Sequence, residues 1–253
     1  MFHPNRRQSE ILKKIRLKGT CSIAELALES GVSEETIRRD VRPMAAEGML
    51  LRTHGHVVSP ERIRETPFQS RMQEQKEDKQ RIAVEAAKSV KDGDSLIIDS
   101  GTTTSYVARA LSEHSNLVVV TNSIDIAYSL SVRNGNRVYM VGGRLRNADG
   151  ASLGPSAVDF VEQFTVQHAI LSIKAVNAPH GLMNAYLSEA EFSRAVMRQA
   201  ETVTVVADHT KFGQKSFVSV GGFDAIQKFI SSAQPPPDIE EAMALGKVEF
   251  YAV

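Results

Sequence analysis

Val32-Ser33-Glu34-Glu35-Thr36-Ile37-Arg38-Arg39-Asp40-Val41, read together with Ser22 to Gly31 before it, decides how the amino-terminal part of this chain folds. Ser22 is followed three residues later by Glu25, the spacing of a capping box, and Ile23, Leu26 and Ala27 are the apolar residues of the short helix it opens. Gly31 suits the left-handed exit that ends such a helix. Ser33 then caps a second helix in which Ile37, Val41 and Met44 recur at i, i+4 and i+7 and face the core. On the opposite side stand Glu35, Arg39 and Arg42, with Thr36 and Arg38 on the flanks. The pattern is a helix-turn-helix whose second helix suits a major groove about 12 Å wide. Arginine pairs with two acceptors on guanine and Glu35 accepts from cytosine. The alternative is a solvated face with an Arg39–Glu35 ion pair.

Working outward, Arg6 to Lys18 aligns Ile11, Leu12 and Ile15 and reads as the first of three helices. Met49 to Val58 reads as a hairpin with its turn near His54-Gly55, a wing whose Arg52, His54 and His56 are placed to touch the DNA backbone or minor groove. The candidate DNA contacts are therefore Ser33, Glu35, Thr36, Arg38, Arg39, Arg42, Arg52 and His54. His54 with His56 makes a poor metal pair, because nothing near them supplies further ligands, and no metal or cofactor is expected. Residues 1–56 carry ten Lys and Arg against seven acids, while the whole chain of 253 residues is neutral. A basic head on a slightly acidic body suits DNA binding by the head. The single cysteine, Cys21, excludes an internal disulfide and reads as a small buried filler. No apolar run approaches a membrane span and Met1 to Arg7 lacks the apolar core of a signal peptide, so a soluble, cytoplasmic protein is expected.

Leu12 to Val57 resembles the winged helix-turn-helix head of the DeoR family of bacterial transcriptional regulators. The resemblance rests on Val32 to Val41 and on Gly48-Met49-Leu50-Leu51-Arg52-Thr53-His54-Gly55-His56. Two departures stand out. His56 occupies the place of the family's second wing glycine, which would reshape the tip if that glycine has positive φ. Pro43 falls inside the second helix of the motif, where a kink or an early end is expected.

Ser59 to Asp78 is charged, poor in apolar residues and broken by Pro60 and Pro67, so 59–77 is expected to be a linker. Asp78 is placed to cap a helix with Ile82, Ala83, Ala86, Ala87 and Val90 on one face. Thereafter strands at 95–98, 117–120, 137–141, 169–173, 203–206 and 248–251 alternate with helices ending at Leu111 and Leu130 and helices at 157–164, 188–199 and 239–245. That order predicts an α/β domain with a mainly parallel sheet covered on both faces. Ligands of such sheets bind beyond the carboxyl ends of the strands. Asp99, Ser100, Gly101, Thr102, Thr103 and Thr104 sit at one such end, Thr121 and Asn122 at the next, and Gly142, Gly143 and Arg144 at the third. The first segment offers a glycine turn, hydroxyls and N–H groups at a helix start, which suits a phosphate, and Arg144 and Lys211 supply charge.

The same residues, with Glu189-Ala190, Met197 and Asp208-His209-Thr210-Lys211-Phe212-Gly213, resemble in order the DeoR-family sensor domain. The resemblance implies a fold related to ribose-5-phosphate isomerase, a phosphorylated sugar or related metabolite as effector, and a dimer or higher homo-oligomer on an operator. Asp208 enters the candidate ligand set on this basis. Ser172-Ile173-Lys174-Ala175-Val176 replaces the family's glycine-bearing G-A-x-G-I, which adds Lys174 to the set and bears on which ligand fits. A rival reading is a working sugar-phosphate isomerase with a DNA-binding head. Ser172 to Val176 holds no acid to serve as base, which leaves only Asp99 and Asp208 for the proton transfer. The expected organisation is a winged helix-turn-helix domain over 1–58, a linker over 59–77 and an effector-binding and oligomerisation domain over 78–253. The expected function is repression of a carbohydrate operon.

Overall fold

The computed structural model of the protein describes residues 4–18, 20–46, 49–53, 55–58, 67–132 and 134–253. The chain divides into two compact units, Met1–Thr66 and Pro67–Val253.

The first unit holds α1 (Arg6–Lys18), α2 (Ile23–Ser30) and α3 (Glu34–Ala46), with β1 (Thr20–Ser22), β2 (Leu51–Thr53) and β3 (His56–Val58). The strands are antiparallel in the order β1-β3-β2. Ser22 caps α2 by accepting from the Glu25 N–H at 3.0 Å, and Gly31 ends it at φ 64°. Ile11, Ile15, Leu26, Ile37, Val41, Met44 and Leu50 form the core. Asp40 is buried too. Its carboxylate takes the Arg7 guanidinium at 2.5 Å and its carbonyl the Gln8 amide at 3.2 Å, so a charged staple joins α3 to α1.

Two expectations about this unit need correction. The helix does not end early at Pro43 but runs on to Ala46. Proline removes one hydrogen bond, and Met44 beside it is fully buried, so core packing carries the last turn. At the wing tip the positive φ belongs to Gly55, at 77°, while His56 already lies in β3 opposite Thr53. A side chain at 56 therefore costs the turn nothing.

The second unit begins with α4 (Phe68–Gln73) and α5 (Lys76–Ala87). Asp78 does not cap α5, which starts two residues earlier and is entered through Gln75 at φ 49°. The last residues of the expected linker are thus helical, and Met72 of α4 is buried against this unit. There follow β4 (Ser95–Ile98), α6 (Thr102–Ala110), β5 (Val118–Thr121), α7 (Ile124–Ser131), β6 (Arg137–Met140), α8 (Pro155–Val161) and β7 (Val166–Ser172). The remainder is β8 (Ala175–Asn177), β9 (Gly181–Asn184), α9 (Leu187–Arg198), β10 (Ala200–Val206), β11 (Val218–Gly221), β12 (Lys228–Ser231), α10 (Pro237–Leu245) and β13 (Glu249–Ala252).

Seven strands form one parallel sheet in the order β13-β12-β10-β7-β4-β5-β6. Side chains alternate along β4: Leu96 and Ile98 join the layer of α5, α6 and α7, and Ile97 joins that of α8, α9 and α10. Both faces are therefore covered, as a parallel sheet requires. The sequence pattern did not reveal β12, a four-residue strand opening with a lysine, or the small antiparallel sheet β11-β9-β8. No described helix is long and apolar enough to cross a membrane.

Replacing Ser22 with alanine removes the only side-chain cap of α2 and should lower the stability of the first unit by about 1 kcal/mol, read as a shift in its urea midpoint.

Candidate functional site

The outward side of α3 is the first candidate. Ile37 and Val41 are fully buried, so Ser33, Glu35, Arg38, Arg39 and Arg42 face solvent, with Thr36 half-buried beside them. The Ser33 hydroxyl accepts from the Thr36 N–H at 3.3 Å and lies 2.9 Å from the Thr36 hydroxyl, which fixes the start of the helix. Arg38 pairs with Glu34 at 2.9 Å, one turn back. Exposed pairs of this kind contribute little to stability, so the guanidinium stays available. His54 and the side chain of Arg52 lie outside the described residues.

The second candidate lies where strand order reverses. From β4 the chain proceeds to β5 and β6 on one side, then returns as β7 on the other. Strands that part in this way leave a crevice at their carboxyl ends. Asp99 follows β4 and Ser172 ends β7, and they meet across it. The Ser172 N–H donates to both carboxylate oxygens at 3.0 Å, and its hydroxyl lies 3.2 and 3.1 Å from them. Burial pushes the Asp99 carboxyl up to about 7. Donation from the Ser172 N–H and hydroxyl offsets this in part, and nearby Glu189 adds to it.

Gly101 packs directly beneath this contact. A Cβ at that position would stand 2.1 Å from the Ser172 hydroxyl oxygen. The glycine is needed for close approach, not for a special φ. No side chain caps α6, which starts at Thr102, and Thr102 and Thr103 are buried beside that uncapped end. The Thr104 hydroxyl is already spent on the carbonyls of Asp99 and Gly101.

The neighbouring strand ends are tied into the same place. The Asn122 amide nitrogen donates to the Ser100 hydroxyl at 3.3 Å and the Ser152 carbonyl at 3.1 Å, while its side-chain oxygen is buried without a hydrogen-bond partner. Thr121 is occupied, accepting from the Ser123 N–H. The Ser152 hydroxyl donates to the Gly142 carbonyl, and Gly143, at φ 135°, brings its backbone against Ser152. At the end of β10, Asp208 is buried next to Lys211, whose ammonium is 3.6 Å away. Burial alone would raise the Asp208 carboxyl. Lys211, the Thr210 hydroxyl and N–H, and Lys79 together hold it below the usual range.

Arg144 is exposed, and the backbone N–H of Lys174, two residues beyond Ser172, donates to the Met183 carbonyl and the Asn184 side chain of the small sheet. The arginine turned inward is Arg146, two residues on. It grips Asp149 through two bonds, reaches Glu189 at 2.6 Å and lies over the Tyr186 ring. Sequence reasoning missed Arg146 and Asp149 because they lie in a loop with no period. Lys79 did leave a signal: it stands three residues before Ile82 on the apolar stripe of α5. Two concavities lie away from the strand ends. One of about 520 Å3 is lined by Phe68, Met72 and Tyr106, and one of about 580 Å3 by Pro179, Phe223 and Leu245.

Residues 7–63 match the profile of the DeoR-like helix-turn-helix domain and residues 74–233 that of the DeoR C terminal sensor domain. The chain belongs to the DeoR family. It is 34% identical over 237 residues to the glycerol-3-phosphate regulon repressor of Escherichia coli (strain K12), covering 94% of each chain. It is 32% identical over 246 residues to the transcriptional repressor CsqR of the same organism, 97% of this chain and 94% of that one. To the transcriptional regulator IolR of Bacillus subtilis (strain 168) it is 29% identical, covering 92% of each. Ribose 5-phosphate isomerase A from Methanocaldococcus jannaschii overlaps 54% of each chain at 17% identity and a TM-score of 0.39. As a DeoR-family protein the chain is a DNA-binding transcriptional regulator, not an isomerase.

Gly101→Ala should cost about 1–3 kcal/mol by overpacking against Ser172, and adding Ser172→Gly should recover part of it, a coupling that urea unfolding of the four variants measures. The raised Asp99 carboxyl carries a sign as well. The folded state holds this proton where the unfolded chain has lost it, so the contribution is full below pH ~4 and is lost as pH rises through about 7. Asp99→Asn should flatten that part of the stability-versus-pH curve.

Proposed function

We propose that this DeoR-family protein represses a carbohydrate operon and leaves its operator when a phosphorylated sugar or related polyol phosphate enters the switch-point crevice. The observation that carries the reading is the uncapped start of α6 at that crevice, where N–H groups and the helix dipole favour an anion. Lys211 adds positive charge. The Asn122 side-chain oxygen, buried without a partner, and the Asp99 and Asp208 carboxyl groups are acceptors suited to ligand hydroxyls. The ligand set is Asp99 to Thr104, Thr121, Asn122, Gly142, Gly143, Asp208 and Lys211. Lys174, two residues beyond Ser172, belongs to the same set, and Arg144, exposed, would join by swinging inward.

Residues 1–58 read DNA, 59–77 join the two parts, and 78–253 sense the effector and associate. Glu35, Arg38, Arg39 and Arg42 meet base edges or flanking phosphates. Ser33 and Thr36 steady the helix start, and Arg52 and His54 contact the backbone from the wing. One head offers few base contacts, so a homodimer or homotetramer supplies two or more to repeated half-sites in the cytoplasm. The names of relatives that repress a glycerol-3-phosphate regulon support this effector class.

The test begins with a duplex selected from a random library by the full-length protein. Glycerol 3-phosphate and fructose 6-phosphate are then titrated against that complex and against the free protein. The expected result is a raised melting temperature, worth about 2.7 kcal/mol at a hundredfold excess over Kd, together with release of the duplex. Arg39→Ala should lower preference for the selected duplex over random DNA tenfold or more, since a bidentate base contact is worth about 1–3 kcal/mol. Undiminished preference in that variant means that α3 reads DNA through other residues.

A further inference from the structure

Lys79 is a lysine in a core position, 4% exposed on the stripe of α5 that continues through Ile82, Ala83 and Ala86. Its ammonium donates to the Arg71 carbonyl at 2.5 Å and the Glu74 carbonyl at 2.7 Å, in and just beyond α4. A third tie comes from α6, where the Tyr106 hydroxyl donates to the Met72 carbonyl at 2.9 Å. The Arg71 side chain reaches across to Asp149, 4.0 Å away, which Arg146 also grips. A helix of six residues does not persist unaided, so these ties and the burial of Met72 hold α4 in place. α4 is also the first element of the second unit, the one the chain enters after leaving the DNA-reading unit.

The same turn of α5 borders the crevice: Asp78, next to Lys79, meets the His209 ring at 3.0 Å, beside Asp208 and Lys211. Burial lowers the Lys79 ammonium from the ordinary lysine value, and Asp208 offsets this in part. An ammonium has three donors, and a phosphate dianion is a stronger acceptor for them than neutral carbonyls. Resting on the reading of the crevice as a phosphate-ester site, we propose that the effector's phosphoryl group takes Lys79 and Arg71 away from their present partners, and that the loosened α4 carries the signal to the DNA-reading unit. The ligand thereby favours one of two arrangements through contacts made only in that one, as any shift of a conformational balance requires.

The experiment is hydrogen exchange over residues 68–75 of the full-length protein, paired with affinity for the selected duplex. In Lys79→Met without ligand, exchange there should quicken at least tenfold and affinity fall at least tenfold, with β4 and β7 as protected as before. Lys79→Arg should restore both in part. Tyr106→Phe, which cuts a tie without touching charge, should move both in the same direction. If β4 and β7 lose protection in Lys79→Met, that variant has unfolded and Tyr106→Phe decides. Unchanged exchange, or quickened exchange with undiminished DNA affinity, overturns the proposal. In the wild type, glycerol 3-phosphate or fructose 6-phosphate should quicken exchange over 68–75. An ester that raises the melting temperature but leaves 68–75 protected overturns the coupling and spares the sensor reading. If neither ester raises the melting temperature, the sensor reading fails for these ligands, and the coupling is judged on the ligand-free variants.

Discussion

Across the gap where β4 and β7 diverge, a carboxyl group is shut away from water and held by a single serine. Asp99 accepts from both the backbone and the side chain of Ser172, and this contact joins the two halves of the sheet at the place where their connections turn opposite ways. The close approach leaves no room for a side chain at Gly101. Between the strand ends the interior is largely apolar, because both faces of a parallel sheet are covered. The second unit thus combines a rigid apolar interior with a polar rim under electrostatic tension. Asp99 is pushed up by burial while Asp208, also buried, is held down by Lys211, Thr210 and Lys79.

The first unit distributes its forces differently. Its core is small, and the position of α3 depends on apolar packing together with one charged staple, Arg7 to Asp40. Asp40 belongs to the run of residues that marks the motif, yet it is buried while Arg38 and Arg39 are exposed. Neighbouring residues of one helix therefore divide the work: the acid fixes the helix from within and the arginines lie on its solvent side.

How much of this was legible in the sequence depended on whether a residue's role follows from a period or from a partner far along the chain. The buried face of α3 and the alternation of strands with helices follow from periods, and they were readable to within a few residues. The start of α5 was not, because a left-handed Gln75 leaves no capping signature. Arg146 was not distinguishable from Arg144, since the loop between β6 and α8 has no repeat to say which turns inward. The Ser172 substitution was visible, but its effect was not: the serine fills the space above Gly101 and contacts a carboxylate 73 residues away. The short β12 and the β11-β9-β8 sheet are built from pairings that no local pattern specifies.

At the wing, the carbonyl of Gly55 accepts a hydrogen bond of 2.8 Å from the N–H of Ile23, the first residue of α2. The tip of the hairpin and the head of the bracing helix are therefore one mechanical piece. Any displacement of the hairpin is passed to the head of that helix, and through the shared core to α3.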